Sequence, residues 1–270
     1  MKKIFRIFLF CFGVSVAYLG TLYLIQDYLL FHPDKKYQSA EDISISGFSE
    51  VLLQASDGTE IMTWYHKGDE EKPAILFLHG NTGQIAYLAP AMLPLSDAGY
   101  TLLLMEYRGF GETPGHITQK AVVDDAALAV DWLKNKGYSK VVVYGYSFGT
   151  AFSSALSNIR NIDGLILTAP FSSLSQLVSE KPVPFAKYVL KDSYPSIDRL
   201  KKYHGPLLII HGKNDELIPY HHAETLFENA ASSDKELELL AGETHHSVFF
   251  ENKNIPYILE FLKKFNQPLP

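Results

Sequence analysis

Residues 140–151 read Lys-Val-Val-Val-Tyr-Gly-Tyr-Ser-Phe-Gly-Thr-Ala, and this stretch predicts the centre of the fold. Its β-branched start is typical of a buried strand, and the small residues at its end favour a helix. Between them, residues 145–149 match the Gly-x-Ser-x-Gly pattern of a sharp turn from a strand into a helix. Such a turn holds its serine in a strained backbone conformation with Oγ exposed at the sheet edge, and the glycines leave it room. Ser147 is therefore a candidate nucleophile, and a plain surface serine between two glycines is the alternative.

The composition limits the fold and excludes some functions. With 270 residues, 47% of them hydrophobic, the chain can bury a large core, and one α/β domain fits better than two small ones. A formal net charge of -6 provides no basic surface, so nucleic-acid binding is not expected. The single cysteine, Cys11, excludes an intrachain disulfide. Leu9 and Phe10, rather than small residues, precede Cys11, so lipid modification of its thiol is not expected either.

An apolar run near the N-terminus predicts a membrane segment. Basic residues at positions 2, 3 and 6 precede the uncharged run Ile7–Ile25, which as a helix would be about 28 Å long and could cross a bilayer. We expect residues 1–25 to be an uncleaved anchor; the alternative is a signal peptide with a small-x-small site at residues 15–17, which would leave a secreted protein. The basic residues before an anchor place the rest of the chain on the periplasmic or extracytoplasmic side.

A connector is predicted over residues 26–46. Its apolar residues at positions 28–31, Tyr-Leu-Leu-Phe, have two possible locations. They can rest at the membrane interface or pack under the following domain, and the sequence does not choose between these locations.

Strand-like and helical runs alternate through residues 47–270, the predicted main domain. The predicted strands are Glu50–Gln54, Glu60–His66, Ala74–Leu78, Thr101–Glu106, Lys140–Tyr144, Gly164–Thr168, Pro206–Ile210 and Glu236–Leu240, and the predicted helices are Gln84–Asp97, Lys120–Lys136, Phe148–Asn158, His222–Asn229 and Asn254–Phe265. Residues 56–58, Ser-Asp-Gly, predict a hairpin between the first two strands. The later apolar runs are typical of parallel strands covered on both faces. We therefore predict an α/β fold with a mostly parallel, eight-stranded sheet flanked by helices, whose ligands bind at the carboxyl ends of the strands.

One predicted strand end supplies backbone groups for catalysis. Residues 79–83, His-Gly-Asn-Thr-Gly, form a glycine-rich loop whose N–H groups can stabilise a developing oxyanion. We assign one donor to the main chain of Asn81 and the other to Phe148, the residue after the candidate nucleophile. His79 is interpreted as a structural histidine that braces the loop.

Two further strand ends supply an acid and a base. Asp215 follows the strand Pro206–Ile210, where a carboxylate can orient a histidine; a turn aspartate is the alternative. His245 follows the strand Glu236–Leu240 and can take a proton from Ser147 as general base. His246 is treated as a neighbour without an assigned role.

Two other polar groups are given structural roles. His221 and His222 form a second histidine pair, but adjacent side chains on a helix are expected to diverge, and no cysteine or carboxylate cluster accompanies them. A metal site is therefore not predicted. Arg108 follows the strand Thr101–Glu106 and is interpreted as one member of an ion pair that holds loops near the site.

Together these residues resemble the α/β-hydrolase family over about residues 47–265. The motifs that carry the resemblance are His79-Gly80-Asn81, Tyr107-Arg108-Gly109-Phe110-Gly111, Gly145-Tyr146-Ser147-Phe148-Gly149, Gly212-Lys213-Asn214-Asp215 and Gly242-Glu243-Thr244-His245. The apolar N-terminus followed by Leu-Phe-His-Pro resembles the membrane-anchored branch, which includes bacterial uncharacterised hydrolases and eukaryotic protein depalmitoylases. In that branch an asparagine commonly follows the histidine, and His246 takes its place here.

The resemblance also implies a lid between the sixth strand and the strand that bears the acid. Only Phe171–His204 is available for it, so we expect a small lid and an open, apolar acyl site. The apolar residues of this segment could equally belong to the core of the domain.

These assignments predict a serine hydrolase that cleaves carboxylic esters or thioesters through an acyl-enzyme, with no cofactor. Its substrate would be a small-molecule or lipid-like acyl ester. The alternatives are a serine peptidase of the same fold and a catalytically silent, membrane-tethered binding module. A dehalogenase is set aside because it would place aspartate at position 147.

Overall fold

A computed structural model describes residues 2–266 of the protein. Met1 and residues 267–270, at the outer ends of the predicted anchor and main domain, lie outside the described residues. The helices are α1 (Lys2–Leu30), α2 (Ile85–Asp97), α3 (Gln119–Asn135), α4 (Gly149–Leu156), α5 (Leu174–Ser179), α6 (Ser196–Leu200), α7 (His221–Asn229), α8 (Ser247–Phe250) and α9 (Ile255–Leu262). The strands are β1 (His32–Pro33), β2 (Phe48–Gln54), β3 (Glu60–His66), β4 (Ala74–Leu78), β5 (Thr82–Gly83), β6 (Thr101–Met105), β7 (Val141–Tyr146), β8 (Gly164–Thr168), β9 (Leu207–Gly212) and β10 (Lys235–Leu240).

Eight of these strands form one sheet in the order β10-β9-β8-β7-β4-β6-β3-β2. The pairs β2–β3 and β3–β6 are antiparallel, with Val51 opposite Thr63 in the hairpin, and the other neighbouring pairs are parallel. The predicted hairpin and the mostly parallel, eight-stranded sheet are confirmed. β7 and β9 each run two residues further than predicted, so that β7 reaches Tyr146 at the predicted turn.

The sheet is covered on both faces, as its continuous apolar strands require. One core packs beneath α3 and α4 and includes Val130 and Phe152. The other packs beneath α2 and α9 and includes Met92 and Phe261. The central strands β4 and β7 are buried along their whole length. The carboxyl ends of the strands are thereby fixed in position by two packed layers.

Arg108 joins the β2–β3 turn to α3. Its guanidinium donates two hydrogen bonds to the carboxylate of Asp125, from Nε at 2.7 Å and from the second terminal nitrogen at 2.8 Å. It also pairs with Asp57 in the turn. Asp125 is buried, so its charge depends on this partner, in agreement with the predicted loop-holding ion pair.

Helix α1 extends five residues beyond the predicted apolar run, to Leu30. Among its residues Gln26 is the buried one. The Gln26 side chain donates to the carbonyl of Val189 at 3.0 Å and accepts from the N–H of Lys191 at 2.8 Å. The last turns of the helix therefore bind the domain, and the anchor boundary at residue 25 stays a prediction. Within residues 2–266, α1 is the one helix long and apolar enough to cross a membrane, a test that a signal sequence also passes.

The apolar residues 28–31 of the predicted connector, of which the first three belong to α1, differ in burial. Phe31 is buried in the domain, whereas the side chains of Tyr28 and Leu29 are exposed. Just after Phe31, β1 pairs in parallel with β5 of the loop that follows β4, with His32 opposite Thr82. This small second sheet was not predicted.

The segment 171–204, which we call the lid segment, is core at its ends and exposed in its middle. Phe171 and Tyr194 are buried in the domain, and α6 packs against α4. Between them, Phe185 and Tyr188 have exposed fractions of 66% and 73%. The apolar residues at the ends of the segment therefore belong to the core of the domain, and a lid formed by its exposed middle stays a prediction.

Candidate active site

The turn at residues 145–149 has the geometry that its sequence pattern predicts. Ser147 has a φ of 53°, in the left-handed region that costs free energy for any residue but glycine, and its N–H donates to the carbonyl of Thr168 at 2.9 Å. A Cβ at Gly149 would lie 2.0 Å from the carbonyl oxygen of Leu78. Only glycine allows β4 and α4 to approach so closely at this point.

Ser147, His245 and Asp215 come together at the carboxyl edge of the sheet. The Oγ of Ser147 lies 2.9 Å from Nε2 of His245, and Nδ1 of His245 lies 2.7 Å from Oδ2 of Asp215. These distances form one continuous chain of hydrogen bonds from the hydroxyl to the carboxylate. The three side chains come from the ends of β7, β9 and β10, and each is buried.

The expected exposure of the Ser147 hydroxyl is wrong. Ser147 is only 7% exposed, because His245 covers one side of it and the loop after β4 covers another. The Gly80 backbone lies so close that a Cβ there would be 3.8 Å from Oγ.

Asp215 is held by more groups than His245 alone. Its Oδ1 accepts hydrogen bonds from the N–H groups of Leu217 and Ile218, at 2.9 and 2.8 Å. Nε2 of the buried His211 lies 3.1 Å from Oδ2 of the same carboxylate. Burial alone would raise the pKa of Asp215, but the hydrogen bonds from His211 and His245 outweigh it and hold the pKa well below its usual value. Asp215 is therefore an ionised, fixed acceptor for His245.

His211 was not predicted to be a functional residue. It lies at the end of β9, where a buried histidine after an apolar strand gives no signal of which group it faces. Its Nε2 lies 2.8 Å from the carbonyl oxygen of Ile218, so it also fixes the loop that carries Asp215.

His245 and His246 point into different surroundings. The main-chain carbonyl of His245 accepts a hydrogen bond from the hydroxyl of Tyr146 at 3.1 Å. The ring of Tyr146 is itself held by stacking on Phe249, at a centroid distance of 4.1 Å. His246 is exposed, with its ring near Phe250. Of the two neighbours, only His245 contacts Ser147.

The two predicted oxyanion donors come from two turns: Asn81 lies in the loop after β4, and Phe148 lies between β7 and α4. Within residues 2–266, neither the N–H of Asn81 nor the N–H of Phe148 donates a hydrogen bond to another group of the protein. Phe148 directly follows Ser147, and Gly80, one residue before Asn81, packs against the Ser147 side chain. The two free N–H groups are thus available beside the candidate nucleophile.

His79 lies beneath this loop and away from Ser147. Its ring stacks on Tyr107 at a centroid distance of 3.9 Å, and Nε2 lies 2.8 Å from Oε1 of Glu106. The hydroxyl of Tyr107 donates to the carbonyl of His79 at 2.6 Å. These contacts describe a residue that braces the loop, as its sequence interpretation expected.

The end of α1 contacts both predicted oxyanion residues. The side-chain amide of Asn81 donates a hydrogen bond to the carbonyl oxygen of Leu30, the last residue of the helix. The ring of Phe31 packs edge-on against Phe148 at a centroid distance of 4.8 Å. The N-terminal segment therefore contacts the candidate site directly. No local sequence pattern predicts these contacts.

Asn81→Ala is expected to lower kcat for a p-nitrophenyl ester about tenfold and to change KM less than twofold. The main-chain N–H remains, but without the bond to Leu30 it is free to drift from the oxyanion, at a cost below the roughly hundredfold effect of removing a donor. Steady-state kinetics measures both constants. Asn229→Ala is the matched control, because the same chemical change is made at an exposed residue at the end of α7 whose amide bonds to the carbonyl of Thr225. Equal losses in the two variants would contradict this positioning role.

The second histidine pair differs from its prediction. The rings of His221 and His222 do not diverge; they stack at a centroid distance of 4.5 Å. A carboxylate also accompanies them, since Oε2 of Glu180 lies 3.1 and 3.4 Å from their Nε2 atoms. Both premises of the sequence argument are thus wrong. The structure brings Glu180 from the end of α5, and these three residues could hold a metal ion, with ligand atoms within 4.8 Å of one another.

We expect acid to destabilise the fold through His222. Its Nδ1 lies 2.8 Å from the Ser172 hydroxyl, and burial lowers the pKa of His222 to about 4, against the opposing effect of Glu180. Between this value and the unfolded pKa of about 6.5, the unfolded chain binds the additional proton, so stability falls as the pH is lowered from 6.5 to 4. The contribution of His222 to the loss is about 2 kcal/mol.

Urea unfolding at pH 7 and pH 4.5, followed by tryptophan fluorescence, measures this loss. The control is His222→Asn, which keeps a polar atom near Ser172 and removes the titration. The variant is expected to lose less stability between the two pH values than the wild type. Equal losses would show that His222 does not contribute.

Comparison with known proteins agrees with this architecture. Residues 69–202 and 195–253 match the family described as serine aminopeptidase, S33. The chain belongs to this family of α/β hydrolases. An uncharacterised protein of Mycobacterium tuberculosis is 31% identical over 204 residues, which cover 73% of this chain and 72% of the relative. The lysophosphatidylserine lipase ABHD12 of Rattus norvegicus is 28% identical over 93% of this chain and 72% of its own length.

Solved structures confirm the fold. The esterase Pf2001 of Pyrococcus furiosus superposes with a TM-score of 0.71 over 87% of this chain and 100% of its own, at 20% identity. The predicted α/β-hydrolase fold is therefore correct, and the protein is a hydrolase by family.

Proposed function

We propose that this protein is a serine hydrolase that cleaves carboxylic esters or thioesters through an acyl-enzyme. The observation that carries the proposal is the chain of hydrogen bonds from Ser147 through His245 to Asp215, at 2.9 and 2.7 Å. The family and the esterase-like fold agree with this chemistry. The residues needed are all from this chain, and the reaction requires no cofactor.

In the first half-reaction, Ser147 Oγ bonds to the acyl carbon while His245 Nε2 takes the hydroxyl proton. The ionised Asp215 holds the imidazole by Nδ1 and stabilises its positive charge. The oxyanion accepts hydrogen bonds from the N–H groups of Asn81 and Phe148. The bond to the leaving oxygen or sulfur then breaks, and His245 returns the proton to the leaving alcohol or thiol.

In the second half-reaction, water replaces the leaving group. His245 takes a proton from the water, whose oxygen bonds to the acyl carbon, and then returns it to Ser147 Oγ as the acyl bond breaks. The products are the carboxylic acid and the free enzyme. Each step uses the same three side chains and the same two donors.

The substrate proposed is a small-molecule or lipid-like acyl ester, presented to a hydrolase anchored in a membrane. A relative named as a lysophosphatidylserine lipase supports a lipid substrate, and α1 supports the anchor. Residues 1–25 would lie in the membrane and residues 47–270 would form the catalytic domain on the extracytoplasmic side. Cleavage within α1 and secretion is the alternative location.

The family description favours a second candidate, a peptidase. An aminopeptidase needs an acidic group that is free to bind the amino terminus of its substrate. Asp215, the carboxylate that contacts His245 within the site, is already paired with His245 and His211. We therefore rank ester hydrolysis above peptide hydrolysis.

Hydrolysis of p-nitrophenyl esters across a ladder of acyl lengths tests the proposal, with the full-length protein in detergent. We expect turnover in the wild type and a best acyl length that reports the size of the acyl site. Aminoacyl p-nitroanilides, assayed in parallel, test the peptidase candidate. A folded protein that cleaves neither substrate class would favour the catalytically silent binding module.

A further inference from the structure

The middle of the lid segment is bound to α1. The hydroxyl of Tyr18 donates to the carbonyl of Pro184 at 3.1 Å, and Gln26 is bonded to Val189 and Lys191. The ammonium of Lys191 also pairs with Asp27. We call residues 182–188 the lid tip. These contacts fix the lid tip along the side of the helix that would cross the membrane.

The position of Tyr18 along α1 gives the depth of the lid tip. About 20 helical residues cross the 30 Å hydrocarbon core of a bilayer. If the inner edge of the core lies between Lys2 and Arg6, its outer edge lies between Leu22 and Gln26. At a rise of about 1.5 Å per residue, Tyr18 is then about 6–12 Å inside the outer edge. Its hydrogen-bond partner Pro184 lies at a similar depth.

Three exposed side chains of the lid tip suit this location, and its one charged residue, Lys187, holds its ammonium 5.2 Å from the ring of Tyr188. Val183, Phe185 and Tyr188 are exposed to 39%, 66% and 73%, and they are large apolar or aromatic residues. Segments that lie in the membrane interface bury apolar side chains about 5–10 Å deep, which overlaps the depth set by Tyr18. The ammonium of Lys191 lies 5.6 Å from the ring of Tyr23, near the calculated outer edge, where lysine and tyrosine are common.

We propose that the lid tip, residues 182–188, inserts into the outer leaflet of the membrane that α1 crosses. The exposed apolar surface of Phe185 and Tyr188 is then covered by acyl chains rather than by water. This inference rests on the proposed function, because it deepens that function by naming the substrate class: acyl lipids that reside in the same leaflet.

Aromatic residues connect this surface to the candidate active site. Tyr194, at the far end of the lid segment, packs against Phe148 at a centroid distance of 4.8 Å. Phe31, at the end of α1, packs against the same ring. The apolar wall beside the oxyanion donor is therefore built from the two segments that meet the bilayer.

Fluorescence quenching tests the insertion in the full chain, reconstituted in phosphatidylcholine vesicles. Tyr188→Cys in a Cys11→Ser background carries an environment-sensitive fluorophore, and the vesicles contain phospholipid brominated at carbons 6 and 7 of one acyl chain. We expect at least a twofold loss of emission. The control is Ile159→Cys, whose site is exposed to 47% just beyond the end of α4 that points away from the candidate active site. Emission there is expected to change by less than a tenth.

An activity comparison provides the second test. Phe185→Asn with Tyr188→Asn is expected to slow hydrolysis of a long-chain 4-methylumbelliferyl ester held in vesicles about fivefold to tenfold. Hydrolysis of the soluble p-nitrophenyl butyrate should stay within twofold. Asparagine suits position 185, where φ is 60°, so the variant is expected to fold. Ile159→Asn is the matched surface control.

The outcomes separate this inference from the proposed function. Absence of quenching at position 188 in a protein that hydrolyses p-nitrophenyl butyrate would overturn the insertion and leave the hydrolase intact. A blue-shifted but unquenched label would show that another protein surface, such as a second copy of this chain, covers the lid tip, and would also overturn the proposal. Loss of butyrate hydrolysis in the unsubstituted chain would count against the hydrolase instead.

Discussion

Replacing Ser147 by alanine is expected to lower kcat/KM for p-nitrophenyl butyrate by about 10⁴-fold or more. The serine hydroxyl supplies the atom that bonds to the acyl carbon, and loss of the nucleophile leaves only binding and the oxyanion donors, which retain a small rate above water. The free energy of unfolding should change by about 1 kcal/mol at most, since one hydrogen bond to His245 is lost. Steady-state kinetics and urea unfolding measure the two effects.

Ser154→Ala is the matched control for this variant. Ser154 is a buried serine on α4 whose hydroxyl bonds to the carbonyl of Thr150 at 2.7 Å, so the chemical change is the same and the site is not touched. We expect Ser154→Ala to retain activity within a few fold. An alanine at position 147 that keeps more than a tenth of the wild-type activity would rule out Ser147 as the nucleophile.

The second large effect separates the adjacent histidines. His245→Ala is expected to lower kcat by about 10³-fold to 10⁴-fold, because Ser147 loses the base that takes its proton. His246→Ala is expected to stay within about threefold, since His246 is exposed and does not contact Ser147. The ratio of the two kcat values is the measurement.

A third variant, Asp215→Asn, also tests whether the base is His245, because Asp215 contacts His245. An amide in place of the carboxylate removes the charge that stabilises protonated His245 and permits the wrong tautomer, so kcat is expected to fall by about 10³-fold or more. If His246→Ala were the damaging change and His245→Ala the mild one, the assignment of His245 as the base would be wrong.

The sequence predicted those parts of the fold that depend on local patterns. The β-branched run of β7 and the glycines at 145 and 149 predicted a strand, a turn and a helix, and a side chain at position 149 would place its Cβ 2.0 Å from the carbonyl oxygen of Leu78. Asp215 and His245 were predicted because parallel strands bring their carboxyl ends to one edge. The order of the strands in the sheet then determines which loops are neighbours. It therefore also determines which side chains of those loops come into contact.

Contacts between distant segments could not be predicted in this way. The strands β1 and β5 have two residues each, too few to show periodicity, and they pair across about fifty residues of chain. His211 was visible at the end of β9, but its contact with Asp215 depends on how the following loop turns back. Glu180 was not linked to His221 because α5 and α7 lie in separate parts of the sequence.

The same limitation applies to the N-terminal segment. Its apolar run predicted a membrane helix, yet nothing in the run indicates that Gln26 binds the lid segment or that Leu30 accepts a bond from Asn81. These contacts connect the proposed anchor to the proposed oxyanion donors. The proposed anchor and the proposed active site are thus in direct contact, which explains why Phe31, just after α1, is buried in the domain.

The central claim is that Ser147 is a nucleophile activated by His245. Labelling the full-length protein with a fluorophosphonate, followed by peptide mapping in a mass spectrometer, tests it most directly. We predict one phosphonyl group per chain on the peptide that contains Ser147, none in Ser147→Ala, and labelling slowed by about 10³-fold in His245→Ala. A folded protein that remains unlabelled, or that carries the group on another residue, would contradict the proposed mechanism.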